Sequence, residues 1–170
     1  MELNTMDDLF FEELRDLYSA ENQLLMALPQ MASTANSKTL KSAFEQHLEE
    51  TRHHVERLDK IFTELGQSPT GETCMAMQGL IAEGNQFIQM SGDPDVKDAA
   101  LIGAAQRIEH YEMAGYGVAR TFAKELGYNM ASETLQKTLD EEGAADKKLT
   151  GIAEGGLFRK GINKRAISNA

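Results

Sequence analysis

Glutamates interrupt the apolar faces of the predicted helices, and they are the residues of this chain best suited to chemistry. With residues spaced at about 100° around each helix, Glu21, Glu112 and Glu142 fall at the centre of an apolar stripe. Glu50 and Glu109 fall toward the edge of theirs. An unpaired buried carboxylate is unfavourable and usually becomes neutral. A group of converging carboxylates must therefore be protonated, hydrated or bound to cations.

Histidines accompany the glutamates on the second predicted helix. His47 and His54 fall inside its apolar stripe, whereas His53 turns away from it. His54 is the preferred ligand, and the assignment among the three histidines stays open. Carboxylates joined by one or two imidazoles form a site rich in oxygen and poor in nitrogen. Such a site suits iron or manganese better than structural zinc, although zinc could occupy it.

Four long helices and one short helix must position these side chains. Each long helix carries an apolar residue every three or four positions, which is the spacing of a helical bundle. The expected caps are Thr5 for the first helix, Asn36 or Ser37 for the second, and Asp93 before Pro94 for the third. The predicted ranges are about 5–33, 37–65, 73–90 for the short helix, 94–126 and 130–154.

The connections between these helices predict the fold. Short turns make the first and last pairs of long helices antiparallel hairpins, and residues 66–93 form a long crossover that contains the short helix. This all-α arrangement is the ferritin-like antiparallel four-helix bundle, in which two helical hairpins are joined by one long crossover. We expect residues 1–154 to form the bundle and residues 155–170 to form a basic tail that is frayed or weakly helical.

The predicted hairpins also set the heights of the glutamates. The first turn centres near residues 35–36, which places Glu21 level with Glu50. The second centres near residues 127–128, which places Glu112 next to Glu142 in height. Amphipathic packing alone does not require carboxylates from all four helices to meet at one level, so the pattern predicts a metal site at mid-bundle.

Composition excludes several other classes of protein. The net charge of −10 argues against nucleic-acid binding; four basic residues lie in 155–170, which leaves 13 − 27 = −14 on the remainder. Cys74 is the only cysteine, so neither an intramolecular disulfide nor a cysteine cluster for metal can form. The acidic N-terminus does not resemble a signal peptide, and no apolar run is long enough to span a membrane. We expect a reduced, cytoplasmic protein.

Four segments together resemble a known family: DLYSAENQLLMALPQMA (16–32), HLEETRHHVERLDKIF (47–62), DAALIGAAQRIEHYEMAGYG (98–117) and TLDEEGAADKKLTGIA (138–153). They are similar to the YciF-type bacterial stress proteins of the ferritin-like superfamily, and the EHYE stretch also resembles the third bundle helix of rubrerythrins. The resemblance implies a homodimer and a centre of two metal ions. It implies ligand roles for the residues that match the superfamily pattern: Glu21, Glu50, Glu109, Glu112 and Glu142.

The chain departs from the superfamily pattern, which has a Glu-x-x-His in both the second and the fourth long helix. Glu50 and His53 have the Glu-x-x-His spacing, but the helical phase favours His54 as the histidine that faces the core. In the fourth helix Glu142 is followed at the histidine position by Ala145, and Asp146, one position further on, is the candidate substitute. The second metal position is therefore the less secure one.

Three functions compete at this level. The leading hypothesis is a stress protein that holds iron or manganese ions in a di-metal carboxylate site and reacts with oxygen or peroxide. The second is a non-enzymatic dimeric stress protein whose metal site is structural or degenerate. The third is a helical module that binds a partner through its acidic surface or basic tail. Tyr18 and Tyr111 flank the glutamates in sequence and are candidates to hydrogen-bond to the site, or equally to be core residues.

Overall fold

A computed structural model of the chain describes residues 3–156 and 159–168 and confirms the all-α bundle. Its helices are α1 (Met6–Thr34), α2 (Lys38–Glu64), α3 (Met75–Gln89), α4 (Pro94–Glu125), α5 (Asn129–Glu154) and α6 (Ile162–Ser168). Two-residue strands, β1 (Gly155–Gly156) and β2 (Arg159–Lys160), pair antiparallel between α5 and α6. None of the described helices is long and apolar enough to cross a membrane.

The predicted caps begin the first three long helices. The Thr5 hydroxyl accepts from the Asp8 N–H at 3.1 Å, and the Asp8 carboxylate accepts from the Thr5 N–H at 2.9 Å, which forms a capping box. Ser37, rather than Asn36, is the N-cap of α2. Asp93 caps α4, with Pro94 in its first turn. These local signals fix where each helix begins.

The long helices pack as two hairpins. α1 lies along α2 and α4 lies along α5, and the hairpins meet where α1 contacts α4 and where α2 contacts α5. The crossover helix α3 covers α1 and α4. The apolar core is divided into two clusters, one including Leu28, Leu40 and Leu101, the other including Leu14 and Leu135. The buried glutamates and histidines of the long helices lie near the boundary between these clusters.

The two hairpins are tied to each other by hydrogen bonds near both ends of the bundle. The buried carboxylate of Asp98, on α4, accepts from the backbone N–H groups of Asn36 (2.8 Å) and Ser37 (2.7 Å) in the α1–α2 turn. At the other end, the hydroxyl of Tyr128 donates to the carboxylate of Asp7 on α1 at 2.5 Å. Both contacts join the α1–α2 hairpin to the α4–α5 hairpin.

The C-terminal segment is ordered against the bundle where the structure describes it. Ile162, at the start of α6, is 1% exposed and belongs to an apolar core cluster. Arg165 forms an ion pair with Asp95 on α4 at 2.8 Å. The sequence predicted a tail that is frayed or weakly helical, and the structure shows a helix, α6, in this segment. The division into residues 1–154 and 155–170 stays a prediction, and residues 157–158 and 169–170 lie outside the described part.

Candidate metal centre

Six buried side chains form two overlapping groups at the middle of the bundle. One group contains His47, Glu109, Glu112 and Glu142, and the other contains Glu21, His54 and Glu142. Within each group the potential ligand atoms all lie within 4.8 Å of one another. All four long helices contribute, because α1 supplies Glu21, α2 both histidines, α4 two glutamates and α5 the shared one.

Glu142 faces both groups with different oxygens. Its Oε1 lies 2.9 Å from His54 Nδ1, and that nitrogen is 3.2 Å from Oε1 of Glu21. Its Oε2 lies 3.7 Å from His47 Nε2, which is 3.4 Å from Oε1 of Glu109. One carboxylate therefore links the two groups, which is the arrangement of a carboxylate that bridges two cations.

Many of these polar atoms have no hydrogen-bond partner within the described residues. The atoms without such a partner include both oxygens of Glu112, both oxygens of Glu142, Nε2 of His47, Nδ1 of His54, and one oxygen each of Glu21 and Glu109. Buried polar groups in proteins are nearly always hydrogen-bonded. The carboxylate oxygens, together with the imidazole nitrogens once these lose their protons, form a donor set that iron or manganese accepts.

The carboxylates hold both histidines in their charged form. Burial alone would lower the pKa of His54, but Glu142 and Glu21 outweigh burial and raise it to about 11. Burial would likewise lower the pKa of His47, yet Glu109, Glu50 and Glu142 raise it to about 9. Without metal, the imidazoles therefore act as cations that partly neutralise the cluster at neutral pH.

The pKa values of the glutamates shift in opposite directions. Burial, with repulsion from Glu142, raises the pKa of Glu112 well above its usual range, and burial is also the main cause of the raised pKa of Glu109 and Glu21. Burial would raise the pKa of Glu142 as well, but His54 and His47 lower it. The shifts therefore favour the neutral form of the first three carboxyl groups and the ionised form of Glu142.

A second set of contacts orients the ligand atoms. Nε2 of His54 lies 3.0 Å from Oε2 of Glu141, and Arg57 holds that carboxylate through two hydrogen bonds of 2.6 and 3.0 Å. The buried hydroxyl of Tyr116 donates to Glu21 Oε1 at 2.5 Å. A histidine ligand commonly uses its other nitrogen in this way, which fixes the ring orientation. His54 therefore presents Nδ1 to Glu21 and Glu142.

The structure brings together five of the seven residues that the sequence predicted as ligands: Glu21, His54, Glu109, Glu112 and Glu142. Glu109 is 2% exposed, so its predicted peripheral position is wrong and it lies as deep as the others. The burial of these residues is observed, and their role as metal ligands stays a prediction.

Glu50 and Asp146 lie outside both groups. The Glu50 side chain is 33% exposed and contacts Gln46 and His47 at the edge of the bundle. Asp146 accepts a hydrogen bond from Gln106 on α4 at 3.0 Å, so it does not take the place of the missing histidine. The physical reason is rotation, because Asp146 is turned by about 100° around the helix from position 145, where the pattern has its histidine.

His47 was left unresolved by the sequence, and the structure places it inside the four-residue group. His53 is exposed and contacts Glu56, as its phase predicts. The tyrosine at the site is Tyr116, whereas Tyr111 hydrogen-bonds to Asp16 and Cys74 and Tyr18 packs edge-on against Phe62. Tyr116 has a sequence signal, since it is four residues after a central glutamate on the same helical face.

The predicted pairing in height also changes. Glu21 meets His54, one turn along α2 from Glu50. Side chains on a helix lean toward its N-terminus, so those on antiparallel neighbours lean in opposite directions along the bundle, and side chains that meet can start from backbone positions at different heights. Equal height of two backbone positions, as predicted for Glu21 and Glu50, therefore does not decide which side chains meet.

The fold is an all-α bundle of the ferritin-like class. Its defining features are two antiparallel helical hairpins, a long crossover, and carboxylates and histidines that point into the bundle. Comparison with known proteins gives the family. The chain belongs to the DUF892 family, a domain of unknown function, which matches residues 5–166.

Its relatives include proteins of known structure. The chain is 44% identical to Protein YciF of Escherichia coli strain K12 over 165 residues, which is 96% of this chain and 99% of that protein. The crystal structure of the E. coli stress protein YciF superimposes with a TM-score of 0.85 at 45% identity, covering 87% of this chain and 94% of that one. YcfI from Rhodopseudomonas palustris superimposes with a TM-score of 0.86 at 43% identity, covering 89% of this chain and 97% of that one.

Proposed function

We propose that this YciF-like chain is a cytoplasmic, homodimeric di-metal carboxylate protein that binds iron or manganese and reacts with oxygen or peroxide under stress. The observation that supports it most is Glu142, whose two oxygens face two separate groups of buried ligand atoms. No ordinary core packing calls for one carboxylate to be shared in this way.

The donor set fits two ions of this kind. His47, Glu109 and Glu112 would hold one ion and Glu21 and His54 the other, with Glu142 between them. Two ferrous ions would supply the two electrons that, with two protons, reduce one peroxide molecule to two molecules of water. The small number of imidazoles and the absence of thiolate favour iron or manganese over zinc in this cluster.

The protein's own residues prepare the site for this chemistry. The apolar clusters on both sides limit the access of water, so charges in the polar layer interact more strongly than they would in solvent. Arg57 and Glu141 fix the ring of His54, and Tyr116 holds one oxygen of Glu21. The other oxygen of Glu21 is left to face a ligand.

A structural role for the metal is the second candidate. α5 contributes one carboxylate and no histidine to the cluster, and Asp146 does not compensate. A site with fewer nitrogen ligands than the superfamily pattern could bind cations to neutralise the cluster without promoting turnover. Reactivity with an oxidant separates this candidate from the leading one.

The test is anaerobic loading followed by oxidant. Metal-free protein is titrated with ferrous iron, bound iron per chain is measured after desalting, and peroxide is then added while absorbance is followed. Two bound ions that are oxidised rapidly would support the proposal. Failure to bind iron stoichiometrically would refute it, and binding without oxidation would favour the structural role.

A pair of variants controls for nonspecific binding. Glu142→Gln removes the shared ligand and should abolish binding of both ions. Glu83→Gln removes a carboxylate from an exposed position on α3 and should leave binding unchanged. Equal binding by both variants would show that the iron is held elsewhere.

A further inference from the structure

A cavity of about 110 Å³ lies between α2 and α5 and leads from the protein surface to the metal cluster. At its inner end are His47 and Glu109, which belong to the cluster. Nε2 of His47 and Oε2 of Glu109 are buried without a hydrogen-bond partner among the described residues. At roughly 30 Å³ per water, the cavity has room for about three water molecules or a partly hydrated cation.

A line of polar contacts runs along this cavity. At the outer end, the ammonium of Lys148 on α5 donates to Oε1 of Gln46 on α2 at 2.6 Å. The amide of Gln46 donates to Oε1 of Glu50 at 2.8 Å, and the other oxygen of Glu50 lies 3.4 Å from Nδ1 of His47. On the inner side, Nε2 of His47 lies 3.4 Å from Glu109. The contacts connect an exposed surface with the buried cluster.

The exposure of these residues decreases inward. Gln46 and Lys148 are exposed, the side chain of Glu50 is 33% exposed, and that of His47 is 7% exposed. The remaining wall is apolar, with Phe44 and Leu149, except for Glu141, whose carboxylate is already held by Arg57 and His54. A cation that moves along this path exchanges water for the carboxylate of Glu50 before it meets the buried ligands.

We propose that the α2–α5 cavity is the uptake route of divalent cations to the buried cluster, with Glu50 as the transit ligand at its mouth and the Lys148–Gln46 contact as its cover. The inference rests on the proposed metal-binding function. It gives Glu50 a role that fits its position outside both ligand groups. Lys148 opposes cation approach through its charge, so its removal should speed uptake.

The rate of uptake distinguishes a transit ligand from a resident one. Metal-free full-length protein is mixed with Co²⁺, whose visible absorbance increases on coordination, and loading is followed by stopped flow while affinity and stoichiometry are measured by equilibrium dialysis. Glu50→Gln should load about tenfold more slowly because an attracting charge is lost from the path. Stoichiometry should not change, and affinity should change by a smaller factor than the loading rate, since a transit ligand slows release as well as uptake.

Neighbouring positions provide matched controls. Glu49→Gln removes a carboxylate one residue away, on an exposed side chain outside the cavity, and should load at the wild-type rate. Lys148→Ala should load about twofold faster, whereas Lys147→Ala should not. Ala144→Phe adds a bulky ring at an exposed lining position and should slow loading without a change in affinity.

Three outcomes would overturn the inference. If Glu50→Gln lowers the number of bound ions, or weakens affinity as much as it slows loading, Glu50 is a resident ligand. If Glu50→Gln and Ala144→Phe load at the wild-type rate, cations reach the cluster by another path, although the proposed function stands. If wild-type protein binds no Co²⁺ at equilibrium, the proposed function and the uptake route fail together.

Discussion

Replacing Glu112 with methionine should stabilise the metal-free protein and weaken its binding of metal. The side chain is completely buried, and neither of its oxygens has a hydrogen-bond partner among the described residues. Burial and three neighbouring glutamates raise the pKa of its carboxyl, so without metal the group is held neutral in a site that does not satisfy it. Methionine has a similar length and removes the polar group while still filling the space.

The size of the effect follows from the burial of a polar group. Leaving such a group without a hydrogen bond costs roughly 1–3 kcal/mol in proteins. Replacing buried ionisable groups with apolar ones of similar volume is often neutral or stabilising. We therefore expect the free energy of unfolding to rise by about 1–3 kcal/mol. At about 2–4 °C per kcal/mol for a chain of this size, Tm should increase by about 2–12 °C.

Added metal should reduce this difference in stability. A ligand present at about 100 times its Kd stabilises the folded state by about 2.7 kcal/mol. If losing Glu112 weakens binding about tenfold, the gain at the same concentration falls to about 1.4 kcal/mol. Wild-type protein should therefore respond more strongly to added metal than Glu112→Met does.

The assay is urea unfolding followed by circular dichroism, with chelator and with excess Mn²⁺. Glu49→Met serves as the control, because this exposed glutamate on α2 should change stability by no more than about 0.5 kcal/mol. Glu112→Ala is a second variant that removes the carboxyl without adding thioether contacts, and it should also weaken Mn²⁺ binding while avoiding like-charge repulsion.

The reasoning would be refuted if Glu112→Met were less stable than wild type in chelator. That result would mean that Glu112 is paired in the metal-free protein, by an ordered water or another group, and that its burial does not reflect preparation for a cation. An increase in stability with unchanged metal affinity would preserve the argument about burial but remove Glu112 from the ligand set.

Four other predictions test the site and its surroundings. Carboxylates raise the pKa of His47 to about 9 and that of His54 to about 11, so metal must displace protons from both rings at neutral pH. Loading of weakly buffered protein should therefore acidify the solution, and the affinity for metal should rise with pH. The same raised pKa values stabilise the metal-free fold fully below about pH 6.5 and progressively less as pH rises through 9 and 11, so urea midpoints in chelator should fall over that range, and a flat profile would contradict the assignment. Glu141→Gln should weaken metal binding about 10–100-fold in equilibrium dialysis by loosening the His54 ring, whereas the exposed-site variant Glu133→Gln should bind normally. Cys74 is 1% exposed, and burial raises the pKa of its thiol. Its reaction with Ellman's reagent should therefore be at least about tenfold slower in folded protein than in urea. Equal rates would mean that the thiol is accessible in the folded protein.

The fold could be predicted from the sequence because its signals are local and agree with one another. The capping residues mark the ends of helices, and the apolar spacing identifies the inward face of each one. The same phase analysis finds Glu21, Glu112 and Glu142, since a residue at the centre of an apolar stripe must enter the core. Long helices with short turns then leave few ways to assemble the bundle.

The details of the cluster depend on neighbours that a single helix does not reveal. Phase alone places Glu109 near an edge, but the packing of α5 against α4 covers that edge and buries the residue. Arg57 and Glu141 were missed because their pairing joins two helices, with 84 residues between them in sequence. The direction of side chains along antiparallel helices decided that Glu21 meets His54.

The tethers at the two ends of the bundle have a consequence for how finely the cluster can be tuned. A slip of one residue along a helix moves every side chain by about 1.5 Å, whereas metal–ligand distances hold to within about 0.2 Å. Asp98, near the α1–α2 turn, and Tyr128 with Asp7 at the opposite end resist sliding of one hairpin along the other. The relative register of the two hairpins is thus fixed at both ends of the bundle, at a distance from the cluster. Loss of the Asp98 hydrogen bonds should therefore misalign Glu142 with the other buried side chains of the cluster.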